Sequence, residues 1–341
     1  MIDILKTDDN NLPQTIRLLK SELLKRGWEA ETPYLKSPHI FIRKKTGDTP
    51  IHIFSSVPAT TSFAAGLLAN DKYGIYQLLD KYDISQPATI MTRCFETECS
   101  EESKEFLKKF NKVVVKPIDG GHGNGITVGV DNEQVLFGAI IRAQRNNKGS
   151  SRNVLLQEMV DADSSDIRIL CIDYKFVAAI HRVPASIVGD GEHTVAELIH
   201  LENTTFRGKA YYAELATIDI ERAMQYLGSK MNAVPRCGEE IQVIGVANYG
   251  SGGKLIDVTD DIPAWLISDA ETVAKHCGLP VCGVDYLIGT LGKDIEKSTA
   301  SAYVIEVNKA PSLAIHDKPT VGKNRQAVKK YVDYLDGIGG L

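Results

Sequence analysis

The stretch Val113-Val114-Val115-Lys116-Pro117-Ile118-Asp119-Gly120-Gly121-His122-Gly123-Asn124-Gly125-Ile126 decides how the rest of the chain reads. Three β-branched residues in a row predict a short buried strand. A lysine follows, then four glycines within six positions, and Ile126 to Val130 predicts a second strand. A strand that delivers one lysine beside a glycine hairpin is a physical device for holding polyphosphate. The lysine supplies a point charge, and glycine backbone approaches phosphate oxygens closely because no Cβ intervenes. From the glycines alone a plain tight hairpin serves as well, so ATP is a question for the rest of the chain. No G-x-x-x-x-G-K-[ST] is present, so this is not a P-loop. The glycines lie between two strand-like runs rather than between a strand and a helix, which speaks against a Rossmann site.

With 341 residues the chain has room for about two or three ordinary domains. Its net charge of -5 is spread over interspersed signs, which gives no support for nucleic acid or an anionic membrane as partner. Six scattered cysteines without a C-x-x-C pair read as reduced thiols and not as a zinc site. Met1 to Lys6 lacks the apolar core of a signal peptide, and no run approaches the roughly 20 apolar residues that span a bilayer. The expected compartment is the cytoplasm.

Helical spacing runs from Leu12 to Arg26, and Ile40–Ile42 and Ile51–Phe54 read as strands, so the first seventy residues form a small α/β unit. Helices are expected from Asp71 to Leu79, Ser103 to Phe110 and Asn132 to Asn146. Arg152 to Glu158 reads as a strand. An acidic linker, Asp161 to Asp166, leads to paired strands Ile167–Cys171 and Phe176–Ile180 around Asp173-Tyr174. Thr194 caps a helix over Val195 to Leu201. Glu202 to Arg236 is in part helical, and Asn248 to Lys254 is a glycine-rich turn. A helix follows Pro263 to about Cys277, then strands Val281–Ile288 and Ala302–Val307, and a last helix from Arg325 to Leu335. Strands joined by hairpins predict an α+β fold of largely antiparallel sheets, not one doubly wound sheet.

Two further constellations carry chemistry. Asp285 and Glu306 each put a carboxylate into an apolar strand, and Asn308 adds an amide oxygen on the face of Glu306. A charged Glu within Val304-Ile305-Glu306-Val307 is expensive to bury unpaired. Hard oxygen donors of this kind suit Mg²⁺. The alternative is a solvated strand face, or carboxylates paired with basic side chains. Arg168 and Arg182 lie in or beside apolar strands, and arginine makes bidentate contacts to carboxylate or phosphate. The alternative for each is a structural ion pair.

Together these residues resemble an ATP-grasp ligase, and within that superfamily the ATP-grasp domain of cyanophycin synthetase and of bifunctional glutathione synthetase. The motifs are Val115 to Gly123, Leu155-Leu156-Gln157-Glu158, Arg182-Val183-Pro184-Ala185, Val188-Gly189-Asp190-Gly191, His193-Thr194, Glu197-Leu198-Ile199, Gly252-Gly253, Asp257-Val258-Thr259-Asp260, and Ile305 to Asn308 with Ala310-Pro311. They cover about residues 68 to 335.

The resemblance implies an N-terminal unit over 1–70, an ATP-grasp N-terminal lobe with a phosphate lid over 71–155, and a C-terminal lobe with the metal and substrate site over 156–335. It implies that Lys72 and Lys116 contact ATP phosphates, with Gly121, His122, Gly123 and Gly125 in the closing lid. Gln157 and Glu158 belong to the adenine linker, and Asp166 faces the ribose or the substrate region. Arg168 and Arg182 hold a substrate carboxylate or the transferred phosphoryl group. Asp285, Glu306 and Asn308 ligate two Mg²⁺ ions, or Mn²⁺. The chemistry is an acyl-phosphate formed from a carboxylate and ATP, then attacked by an amine. An amino acid or short peptide is the expected substrate, and a homodimer or homotetramer the expected assembly. Lys309 and Ser312 stand where a smaller residue and a glycine are usual. Long partner domains have no counterpart in this sequence, so one ligation is expected and not a polymerising cycle. Two rival readings are a ligase that modifies a protein or ribosomal peptide, and an ATP-binding sensor without turnover.

Overall fold

The computed structural model describes residues 12–338 apart from 35, 96–97, 120–122, 150, 161–163, 206, 208–215, 246–249 and 251. Its first unit is helix α1 (Gln14–Lys25), strands β1 (Glu29–Glu31), β2 (His39–Arg43) and β3 (Ile51–Phe54), and helix α2 (Phe63–Leu68). The strands pair antiparallel in the order β1-β2-β3. Ile16, Leu19 and Leu23 bury one face of α1 against Ile40, Ile42 and Ile53, whose alternation along β2 and β3 puts them on one side of the sheet.

Next come α3 (Lys72–Asp80), β4 (Thr89–Thr92), β5 (Cys94–Phe95), β6 (Glu98–Cys99), α4 (Glu101–Phe110), β7 (Val113–Pro117), β8 (Thr127–Val130), α5 (Glu133–Arg145) and β9 (Val154–Glu158). Four of these strands form an antiparallel sheet in the order β4-β9-β7-β8. Leu136, Ala139, Ile140 and Ala143 make the helical stripe of α5 that covers Val113, Val115 and Leu156. The Val135 N–H donates to the Asn132 side chain at 2.9 Å and so caps the helix start.

The rest of the chain builds β10 (Ser165–Ile172), β11 (Lys175–Val183), β12 (Ser186–Val188), α6 (Val195–Thr205), α7 (Ile220–Leu227), β13 (Glu240–Gln242), β14 (Lys254–Asp257), α8 (Ala264–His276), β15 (Val281–Ile288), β16 (Ala302–Asn308), α9 (Ala314–Asp317) and α10 (Ala327–Gly337). Five strands form an antiparallel sheet in the order β14-β11-β10-β15-β16. Asp173 and Tyr174 both take positive φ, 54° and 59°, as a two-residue hairpin turn between β10 and β11 requires. The Thr194 and Glu197 side chains cap each other's backbone N–H at the start of α6.

Helix α3 follows the first unit in sequence, yet Ile75 and Leu79 pack into the core of the five-stranded sheet with Ala270, Val273 and Val284. That packing brings α3 beside β16. Among the described residues no helix is long and apolar enough to cross a membrane. The fold is α+β, with antiparallel sheets throughout, as the hairpin-rich sequence predicts. It also holds strands that the sequence did not announce, namely β1, β4, β5, β6, β12, β13 and β14. Lys254, expected in a turn, opens β14.

Candidate active site

Register places the chemistry. Arg168 on β10 stands opposite Asp285 on β15, and Asp285 stands opposite Glu306 on β16. Directly opposed residues share a sheet face, so the three side chains form one row. Asp166 and Arg182 form the next row, as partners across β10 and β11. Gly283 lies opposite Asn308, and a Cβ there would meet the Arg168 side chain at 3.3 Å. The same Cβ would stand 3.2 Å from Pro311 Cβ, so the glycine leaves room for both neighbours.

Asp285 is the centre of this array, with its side chain 1% exposed. Arg168 donates from Nε to Oδ1 at 2.6 Å and from Nη2 to Oδ2 at 2.7 Å, a bidentate pair. Arg182 Nη2 donates to Oδ2 at 3.0 Å, and Asn308 Nδ2 adds 3.2 Å to the same oxygen. Arg182 also donates to Asp166 Oδ1 from Nε at 3.0 Å and from Nη2 at 2.5 Å. Burial opposes the Asp285 charge, but Arg168 and Arg182 outweigh it and hold its carboxyl below the usual carboxylate range. For Asp166 burial wins over Arg182, and its carboxyl is pushed up to about 6. Burial opposes the Arg182 charge as well, and Asp285 and Asp166 raise its pKa despite that.

The lysines arrive from two directions. Lys72, in the first turn of α3, lies 3.3 Å from Glu306 Oε1. Lys116, on β7 of the other sheet, is 7% exposed and donates from Nζ to the Tyr76 hydroxyl at 3.1 Å. Among the described residues no carboxylate lies within ion-pairing distance of Lys116. Burial therefore depresses its ammonium to about 8, and the charge of Glu306 offsets this only in part. Tyr76 donates in turn to the Ile305 carbonyl at 2.5 Å. Tyr76 was not read from the sequence. The available signal was its position one helical turn after Lys72, which puts both on one face of α3.

The structure thus gathers Lys72, Lys116, Asp166, Arg168, Arg182, Asp285, Glu306 and Asn308 into one array spanning both sheets. Gln157 and Glu158 lie at the end of β9. Gln157 donates to Thr89 Oγ1 at 2.7 Å, and the Ala88 N–H donates to Glu158 Oε2 at 3.3 Å. Gly120, Gly121 and His122 fall outside the described residues. Gly123 and Gly125 both have positive φ, 76° and 74°. A Cβ on Gly125 would stand 2.6 Å from Asn146 Cβ and 2.9 Å from Pro117 Cγ. Gly125→Ala is therefore expected to cost about 2 kcal/mol, measured as a fall in urea stability. A change within error would show that the hairpin rearranges freely.

Among the described residues no three His, Cys, Asp or Glu side chains cluster as a metal-binding group. The hard-donor set here is Glu306, one-third exposed, with the amide of Asn308. Those two fit a Mg²⁺ ion bound together with phosphate. Both oxygens of Asp285 are engaged by arginine. The motif Asp257 to Asp260 serves a separate purpose, since Arg325 pairs with Asp257 at 2.6 Å and with Asp260 at 2.8 Å and ties the chain before α10 to β14.

Comparison with known proteins agrees with this architecture. Residues 80–194 match the family model of the prokaryotic glutathione synthetase ATP-grasp domain. Cyanophycin synthetase from Crocosphaera subtropica is 30% identical over 288 residues, covering 82% of this chain and 32% of that protein. The glutathione biosynthesis bifunctional protein GshAB from Pasteurella multocida is 26% identical over 335 residues, covering 96% of this chain and 43% of that protein. The crystal structure of a bifunctional glutathione synthetase from Pasteurella multocida matches with a TM-score of 0.65 at 24% identity, over 97% of this chain and 44% of that one. The chain thus spans about a third to under half the length of these curated relatives.

Proposed function

We propose, from the premise that this chain belongs to the ATP-grasp superfamily, that it is a carboxylate–amine ligase acting on an amino acid or short peptide with ATP. The observation that carries the reading is Lys116. It is a buried cation whose partner is a phenol, with no carboxylate at ion-pairing distance among the described residues, between a glycine hairpin and the strand that bears Glu306. A cation so placed is costly to keep charged, and a phosphate would offset that cost.

In this reading a substrate carboxylate oxygen attacks the γ-phosphorus of ATP, and the bond to ADP breaks. The amine then attacks the acyl carbon, and phosphate leaves. Such transfer needs positioning and charge neutralisation more than covalent help from the protein. Lys72, Lys116 and Arg182 would supply positive charge to the phosphates, and Arg168 with Arg182 would orient the acid. Glu306 and Asn308 would hold Mg²⁺, which neutralises phosphate charge when bound. Asp285 would join them only as the arginines turn from its oxygens to the ligand. Gly123 to Gly125 belong to the lid that would exclude water.

The test is ADP release with pools of amino acids and dipeptides. Substrate-dependent ADP is expected from the unaltered chain, and Glu306→Ala is expected to lower it at least about tenfold. No substrate-dependent ADP from any pool, or undiminished release by the variant, would sink the proposal.

A further inference from the structure

Strand β16 is irregular where it matters. Asp285 pairs with Glu306 and Tyr286 with Val304, so Ile305 is the extra residue of a bulge. A bulge turns the neighbouring side chain and leaves a backbone group outside the ladder. Here the Ile305 carbonyl accepts the Tyr76 hydroxyl at 2.5 Å. The residue so turned is Glu306, which faces Lys72 one turn before Tyr76 on the same helix.

The same phenol has a second bond, accepted from Lys116. Lys116 belongs to the four-stranded sheet, whereas Ile305 lies on β16 of the five-stranded sheet and Tyr76 on α3, whose Ile75 and Leu79 pack in that sheet's core. One hydroxyl therefore joins the two sheets at the site. Tyr76 has little freedom to do otherwise. It is 2% exposed, Gln86 Nε2 donates to its carbonyl at 2.7 Å, and its neighbours Ile75 and Leu79 are locked in the core.

We propose that Tyr76 is a positioning residue that fixes Lys116 relative to the Glu306 bulge, and so sets the spacing between the phosphate-holding lysine and the strand that would carry the cation. The inference rests on the reading of Lys116 as a phosphate contact. It predicts that Tyr76 acts on nucleotide through Lys116.

The test is a double-mutant cycle on the full chain, with ADP and Mg²⁺ as the probe and calorimetric affinity as the readout. Tyr76→Phe is expected to weaken binding about tenfold in the otherwise unaltered chain. In a Lys116→Gln background the same change is expected to alter affinity less than about twofold. Equal losses in both backgrounds would mean that Tyr76 only supports the fold, and would overturn the proposal. So would a Phe variant that binds like the unaltered chain. No ADP binding by the unaltered chain, or none of it lost in Lys116→Gln, would instead overturn the phosphate reading of Lys116 and this role with it. Circular dichroism checks that each variant folds. Should the Phe variant fail, Tyr76→Gln keeps a donor and an acceptor and enters the same cycle, with a smaller loss expected that again vanishes without Lys116.

Discussion

Asp285→Ala is expected to destabilise the protein by about 3–5 kcal/mol, seen as a lower urea midpoint at unchanged slope. The reason is the company Asp285 keeps. Arg168 and Arg182 are each 15% exposed, and both aim guanidinium nitrogens at its oxygens. Removing the carboxylate strands two buried cations at once, with Asp166 still paired to Arg182 and the charge of Glu306 acting from further off. Asp285→Asn should cost less, because an amide oxygen still accepts from Arg168 while the charge is lost. The pH dependence gives an independent check. Asp285 titrates lower in the folded protein than in the unfolded chain, so its contribution is present above the ordinary aspartate range and fades as pH falls through the folded value. Asp166 works in reverse. Its folded pKa is raised to about 6, so its contribution is greatest below the unfolded value and is lost as pH rises through about 6. In Asp285→Ala the acid limb should therefore flatten. A loss below about 1 kcal/mol would mean that the array is hydrated and worth no more than a surface bridge.

The contrast between Asp285 and Lys116 shows how far residue types reach. Both were legible as chemistry-bearing residues in apolar strands, and both lie where the strand pattern puts them. The partners of Asp285 were legible only as types. Arg168 and Arg182 admit an ion pair as well as a ligand contact, and the choice depends on register across β11, β10 and β15, which no local pattern encodes. In the described arrangement the ion pair is what they make. Tyr76 was hidden for a related reason. A tyrosine on the buried face of a helix reads as core, and its polar end acquires meaning only when a lysine from another sheet and a bulged carbonyl meet it. Short strands such as β12 and β13 were hidden because three residues carry no period to detect. Helix α2, six residues long and capped by Ser62, is too brief for a helical stripe.

Lys116 leads to the second large expectation, in which stability and nucleotide binding move oppositely with pH. Its folded pKa lies at about 8, whereas the unfolded lysine keeps the ordinary 10.5. Between those values the unfolded chain binds a proton that the folded protein has released. Stability of the ligand-free protein should therefore rise with pH through this window, and the gain should be lost as pH falls through about 8. The full swing is on the order of 3 kcal/mol. Affinity for ADP with Mg²⁺ should do the reverse. A phosphate needs the charged lysine, so binding should weaken by up to about tenfold for each pH unit above 8. Lys116→Met should remove both trends, since it keeps the apolar stem and has nothing to titrate. Thermal unfolding and calorimetric binding across pH 7 to 10 read the two quantities separately. If stability stayed flat across this window, Lys116 would be an ordinary solvated lysine with an unshifted pKa, and the anion that the site awaits would have to be sought elsewhere.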